Sequence, residues 1–130
     1  QKEMDVIIRA HGPLHPEVGR SWNDLAGVHC AKGDYDVALE MYQNTLRILC
    51  GALGEGHADV GAVYDDMGGA CFAKGDWDAA LEMYRNALEI RVAALGGTHP
   101  DVGATCSHIA GVYEAKGEYE TVLVHLGTIF

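Results

Sequence analysis

Residues 57–98 read HADVGAVYDDMGGACFAKGDWDAALEMYRNALEIRVAALGGT, and residues 15–56 read almost the same way. Residues 99–130 begin a third copy that stops short. His15, His57 and His99 stand 42 residues apart and mark the period. A fixed period of this size signals a stacked-repeat architecture, in which no single unit can bury its apolar face alone. One domain is therefore expected over residues 1–130. It divides into a partial unit at 1–14, full units at 15–56 and 57–98, and a truncated unit at 99–130.

Within each unit the order of signals is constant. His-Pro-Glu-Val at 15–18, His-Ala-Asp-Val at 57–60 and His-Pro-Asp-Val at 99–102 open a helix. Proline suits the first helical position, and an acid beside it favours the positive end of the helix dipole. First helices are expected at about 16–31, 58–73 and 100–115. Their apolar residues recur at helical spacing, as in Val18, Trp22, Leu25 and Ala26 and in Val60, Val63, Tyr64, Met67 and Gly68. Lys32-Gly33-Asp34, Lys74-Gly75-Asp76 and Lys116-Gly117-Glu118 then mark a short turn, with Gly closing one helix and an acid able to cap the next. Second helices are expected at about 35–52, 77–94 and 119–130, packed antiparallel on the first. Ala38 with Tyr42, and Ala80 with Tyr84, pair a close-approach residue with an aromatic one turn on. By the same period, Gln1–His11 reads as the rear half of a preceding second helix.

Composition narrows the function. Nine Lys and Arg stand against 19 Asp and Glu, for a formal charge of −10. That disfavours nucleic acid and anionic membrane as partners and leaves basic partners open. No apolar run approaches the roughly 18–20 residues of a membrane span. The start, which mixes charge with Val6, Ile7 and Ile8, does not read as a signal peptide and has the look of a domain boundary. Cys30, Cys50, Cys71 and Cys106 each occupy a different place in the repeat, and none forms a C-x-x-C pair. Reduced thiols in a cytoplasmic protein are expected. The phosphate-binding, metalloprotease and nucleophile-elbow motifs are absent from the sequence, so no enzymatic role, cofactor or metal is expected. The three histidines lie one repeat apart, too far to share an ion, and are read as helix caps.

Trp22, Leu25, Ala26, Ala38 and Tyr42 in one copy, and Tyr64, Met67, Gly68, Ala80, Tyr84 and Ala87 in the next, resemble the tetratricopeptide repeat. The 42-residue unit, with Leu-Gly-x-x-His-Pro-Asp-Val between copies, is similar to the repeats of kinesin light chains and nephrocystins. The resemblance implies an all-α solenoid of stacked antiparallel hairpins, coiled as a right-handed superhelix, that serves as a protein–protein scaffold. It also implies that the first helices line a concave groove for a partner peptide. By position the groove residues are Arg20, Asn23, Asp24, Gly27 and Cys30, then Ala62, Asp65, Asp66, Gly69 and Phe72, then Ala104, Ser107, His108, Gly111 and Glu114. Kinesin light chains have a groove rich in Asn and basic residues, which Asn23 and Arg20 match. Asp24, Asp65, Asp66 and Glu114 depart from it and make the expected groove acidic, suited to a basic peptide.

The plain alternative is that these acids form a solvated helix face. Against it, Asp24 and Asp66 share one repeat position with Asp65 adjacent, so stacking gathers like charges that a partner or counterion would relieve. Gly27, Gly69 and Gly111 also share one position, where Gly costs about 0.5–1 kcal/mol relative to Ala. Tight packing of neighbouring first helices is the favoured explanation, and a ligand backbone running over them the other. A second functional reading is self-assembly. The last copy ends on Val122, Leu126, Ile129 and Phe130, an apolar stripe at a place where solenoid ends are usually polar, and the fragments at the two termini could dock head to tail.

Overall fold

Each first helix begins at its histidine. The imidazole Nδ1 of His15 accepts from the Glu17 N–H at 3.1 Å, that of His57 from Asp59 at 3.0 Å and that of His99 from Asp101 at 3.0 Å. One of the otherwise unpartnered amides of the first turn is satisfied in every copy. The computed structural model describes the backbone of residues 15–129 and the side chains of residues 15–118. Over that range the chain forms α1 (Pro16–Ala31), α2 (Tyr35–Leu53), α3 (Ala58–Lys74), α4 (Trp77–Leu95) and α5 (Pro100–Ile129). His57→Ala is expected to cost about 1 kcal/mol of stability, and His57→Asp to restore it, as read from thermal denaturation.

α1 and α2 form one antiparallel hairpin and α3 and α4 the next, with α2 against α3 and α4 against α5. The hairpin turns need a left-handed residue, supplied by Gly33 at φ 87° and Gly75 at φ 91°. Asp76 then caps α4 by accepting from Ala79 N–H at 3.3 Å, whereas Asp34 makes no side-chain cap to α2. Ala38 and Ala80 are fully buried where the hairpin partners meet. Opposite them, Gly68 lies so close to the Tyr84 ring that a Cβ would stand 2.6 Å from it. The core is a row of neighbouring clusters linked by the partly buried Leu39 and Met83: Ala26, Tyr42, Leu49, Val63 and Met67 join the first hairpin to the second. Cys71, Leu81, Tyr84 and Val112 continue it into α5. On the surface, Lys74 pairs with Asp36 and Lys116 with Asp78, each lysine reaching 38 residues back to the preceding unit. Exposed pairs like these contribute little energy but repeat in register with the stack.

The third copy departs from the expected hairpin. Instead of a first helix ending near residue 115 and a second starting at 119, a single helix runs from Pro100 to Ile129. Gly117 sits inside it without the positive φ of Gly33 and Gly75. Two sequence departures accompany this: Glu118 stands where Asp34 and Asp76 do, and Val122 where the close-packing Ala38 and Ala80 do. The expected half helix at Gln1–Leu14 lies outside the described residues. So do Phe130 and the side chains of Val122, Leu126 and Ile129 on which the self-assembly reading rested.

Candidate functional site

A cleft of about 400 Å³ opens between α1 and α3, lined by Arg20, Asn23 and Asp24 from one helix and by Asp59, Ala62 and Asp66 from the other. Glu17 joins them at the α1 end, so four carboxylates face one guanidinium. That guanidinium is already engaged. Arg20 donates to Glu17 at 2.7 Å and to Asp59 at 3.4 Å, bridging the two helices. Asp24 and Asp66 form no ion pair among the described residues. Asp66 is open to solvent along the cleft, yet the protein on both sides desolvates it enough to push its carboxyl above the ordinary range. The Asn23 amide, as a hydrogen-bond donor, opposes that shift, while the Asp65 charge adds to it. The Asn23 Oδ1 atom is buried and accepts no hydrogen bond.

A second cleft, of about 490 Å³, continues toward the C-terminal ends of the same helices. Its walls are small residues, Gly27, Ala31, Gly69 and Ala73, and its aromatic lining is Tyr35, Tyr42 and Tyr84. Asp66 borders both clefts. Burial pushes the Tyr42 and Tyr84 phenols up to about 12, with the Asp66 charge contributing to both.

Asp65 has a different role from its neighbour. Its side chain is only 12% exposed and is turned into the joint between α3, α4 and α5. Arg91 approaches it to 3.7 Å, the Thr105 hydroxyl donates to it at 3.0 Å, and His108 Nδ1 stands 3.1 Å away. Arg91 also donates to the Thr105 hydroxyl at 2.8 Å and to the Asp101 carbonyl at 3.2 Å. The like-charge cost that the sequence placed on the acid cluster is thus met in part from within the chain. Arg91 occupies the repeat position of Leu49, and Thr105 that of Val63. A charge at a core position was the available signal, because it requires a buried acid within reach.

Of the groove residues expected from position, Arg20, Asn23, Asp24, Ala62 and Asp66 meet in the first cleft. Gly27, Cys30, Asp65, Asp66, Gly69 and His108 meet in the second. Phe72, Ala104, Ser107, Gly111 and Glu114 line neither; of these, all but Gly111 are exposed. Position alone missed Glu17, Asp59 and the three tyrosines. The favoured account of the glycines is corrected. A Cβ at Gly27 or Gly111 would meet nothing within 4 Å, and one at Gly69 only the Tyr84 hydroxyl at 3.7 Å. Helix-to-helix tightness falls instead at Gly19, Gly61 and Gly68. Gly27→Ala is therefore expected to raise stability by about 1 kcal/mol, measured as a shift in urea midpoint. A loss would show that the open space is not there.

Among the described residues no group of three His, Cys, Asp or Glu side chains is placed to hold a metal ion, and no helix is long and apolar enough to cross a membrane. A family model described as tetratricopeptide repeat matches residues 1–51 and 59–127. No curated protein is significantly similar in sequence. Among solved structures, BtubC (BKLC) from P. vanneervenii superposes with a TM-score of 0.75 at 26% identity, over 84% of this chain and 44% of that one. A putative kinesin light chain with nearly identical TPR-like repeats, from Podosopora anserina, gives 0.70 at 22% identity, over 97% and 59%. The chain thus spans about half the length of these two structures.

Proposed function

We propose, because this chain belongs to the tetratricopeptide-repeat family, that it is a scaffold module holding a basic segment of a partner protein between its first helices. Repeats of this family are generally protein–protein interaction modules without catalytic activity. The observation that carries the reading is the charge of the first cleft: four carboxylates, one guanidinium already held by two of them, and Asp24 and Asp66 left without an ion pair among the described residues. In this arrangement a cationic side chain gains from both free acids, while an acidic cargo peptide meets like charge. Phe72, Ser107, His108, Gly111 and Glu114 extend the proposed surface along α3 and α5. Four free cysteines suit work in the reducing cytoplasm.

The test is fluorescence anisotropy with two labelled peptide sets, basic-aromatic and acidic-aromatic, at low and moderate salt. Binding of the basic set that weakens with salt supports the proposal. Preference for the acidic set would contradict it and favour a ligand of the opposite charge. Binding of neither would also contradict it, and would leave association between copies through Val122, Leu126, Ile129 and Phe130 as the reading to examine by light scattering.

A further inference from the structure

Tyr42 and Tyr84 are each only 4% exposed, and both line the second cleft. Neither hydroxyl makes a hydrogen bond within the described residues. For Tyr84 the direction is fixed by Gly69, whose position for a Cβ lies 3.7 Å from the hydroxyl oxygen. Both rings are packed away while neither hydroxyl oxygen is sealed from the cleft, so the two tips present donor and acceptor groups to whatever enters it. The nearby carboxylates differ in availability. Asp65 is occupied by Arg91, Thr105 and His108, whereas Asp66 forms no ion pair among the described residues.

We infer that the second cleft is a pocket for the guanidinium of an arginine side chain on the bound segment, completed by the Tyr42 and Tyr84 hydroxyls and the Asp66 carboxylate. This deepens the basic-peptide reading above and rests on it. The chemistry of the lining selects the group. A carboxylate and two hydroxyl oxygens offer acceptors, and a guanidinium offers five donors in one plane and no acceptor. It is more weakly hydrated than an ammonium, so it gives up less on entering. The small residues Gly27, Ala31, Gly69 and Ala73 leave an open trough that a flat group can lie in, and the Tyr35 ring adds an aromatic face for the cation. Glycine at 27 and 69 has a purpose here that helix packing did not supply: a larger side chain would project into the trough.

The test uses a small probe in place of a peptide. N-acetyl-arginine amide at millimolar concentrations is titrated into the protein and followed by amide chemical shifts, with N-acetyl-citrulline amide as the uncharged analogue of the same shape. Saturable shifts at Gly27 and Gly69 are expected with arginine, with citrulline about tenfold weaker or worse. The double variant Tyr42→Phe, Tyr84→Phe removes no hydrogen bond within the described protein. It should keep the wild-type melting temperature and lose about tenfold in arginine affinity. Equal response to arginine and citrulline, or an arginine response untouched by the double variant, would overturn the pocket. If arginine amide leaves both glycines unmoved while the basic peptide set still binds, the pocket is wrong and the scaffold reading stands. If neither binds, both fall.

Discussion

Arg91→Leu is expected to cost about 3–5 kcal/mol of folding stability, although leucine is what the preceding unit carries at that place, as Leu49. The loss comes from Asp65. With its side chain 12% exposed, it would keep a carboxylate at the joint with no guanidinium near it, only the imidazole of His108 and the Thr105 hydroxyl. The Thr105 hydroxyl would lose the guanidinium that stands 2.8 Å from it. A domain of this size has only about 5–15 kcal/mol to lose, so the variant should be marginal at room temperature. The first junction shows how to repair it. There Leu49, Asn23 and Val63 occupy the positions of Arg91, Asp65 and Thr105. Adding Asp65→Asn and Thr105→Val to Arg91→Leu should therefore return stability to near the wild-type value, since an apolar joint can replace a buried ion pair without loss. Urea denaturation of the three proteins decides the matter. A single variant within about 1 kcal/mol of wild type would show that Arg91 is not holding a buried charge.

The second large effect is on binding. Asp24→Lys with Asp66→Lys should weaken the basic peptide set by on the order of a hundredfold, because like charges across a contact cost several kcal/mol. The same protein should gain affinity for the acidic set. Stability should move the other way. The Asp66 carboxyl is held above its ordinary range in the folded state, so the fold disfavours the carboxylate form. That penalty is fully present above the raised folded value and is relieved as pH falls through it toward the unfolded one. Asp66→Asn should therefore stabilise the free protein slightly at neutral pH, by well under about 1 kcal/mol since the residue is open to water. The advantage should fade in acid. Binding function and free-state stability thus pull in opposite directions at this residue.

The helix starts were legible because each rests on local chemistry that the sequence states outright: a histidine cap, proline or alanine after it, and an acid on the dipole. The Ala–Tyr pairs on α2 and α4 fixed the hairpins in the same way. At the third copy the same reading by period failed, although its two departures, Glu118 for Asp and Val122 for Ala, were in plain view. Period carried more weight in that reading than these local departures from the repeat. Within the site, repeat position correctly brought Asp24, Asn23 and Asp66 together, because residues one period apart stack side by side. It could not separate Asp65 from Asp66. Adjacent residues on a helix point about 100° apart, and only the location of Arg91 shows which acid faces inward. The tyrosines were assigned to the core by their bulk, which is correct for their rings. That the Tyr84 hydroxyl reaches a cleft depends on Gly69 across from it on the paired first helix, a relation between two helices that apolar spacing along one helix does not contain.

The most direct test of the scaffold reading is to locate a bound peptide. A basic peptide carrying a photoreactive phenylalanine analogue would be crosslinked to the protein and the attachment sites read by mass spectrometry. Crosslinks concentrated on α1 and α3, at and around Asn23, Asp24, Gly27, Ala62, Asp66 and Gly69, are the expected result. Crosslinks confined to α2 and α4 would place the ligand on the opposite side of the stack and contradict the account.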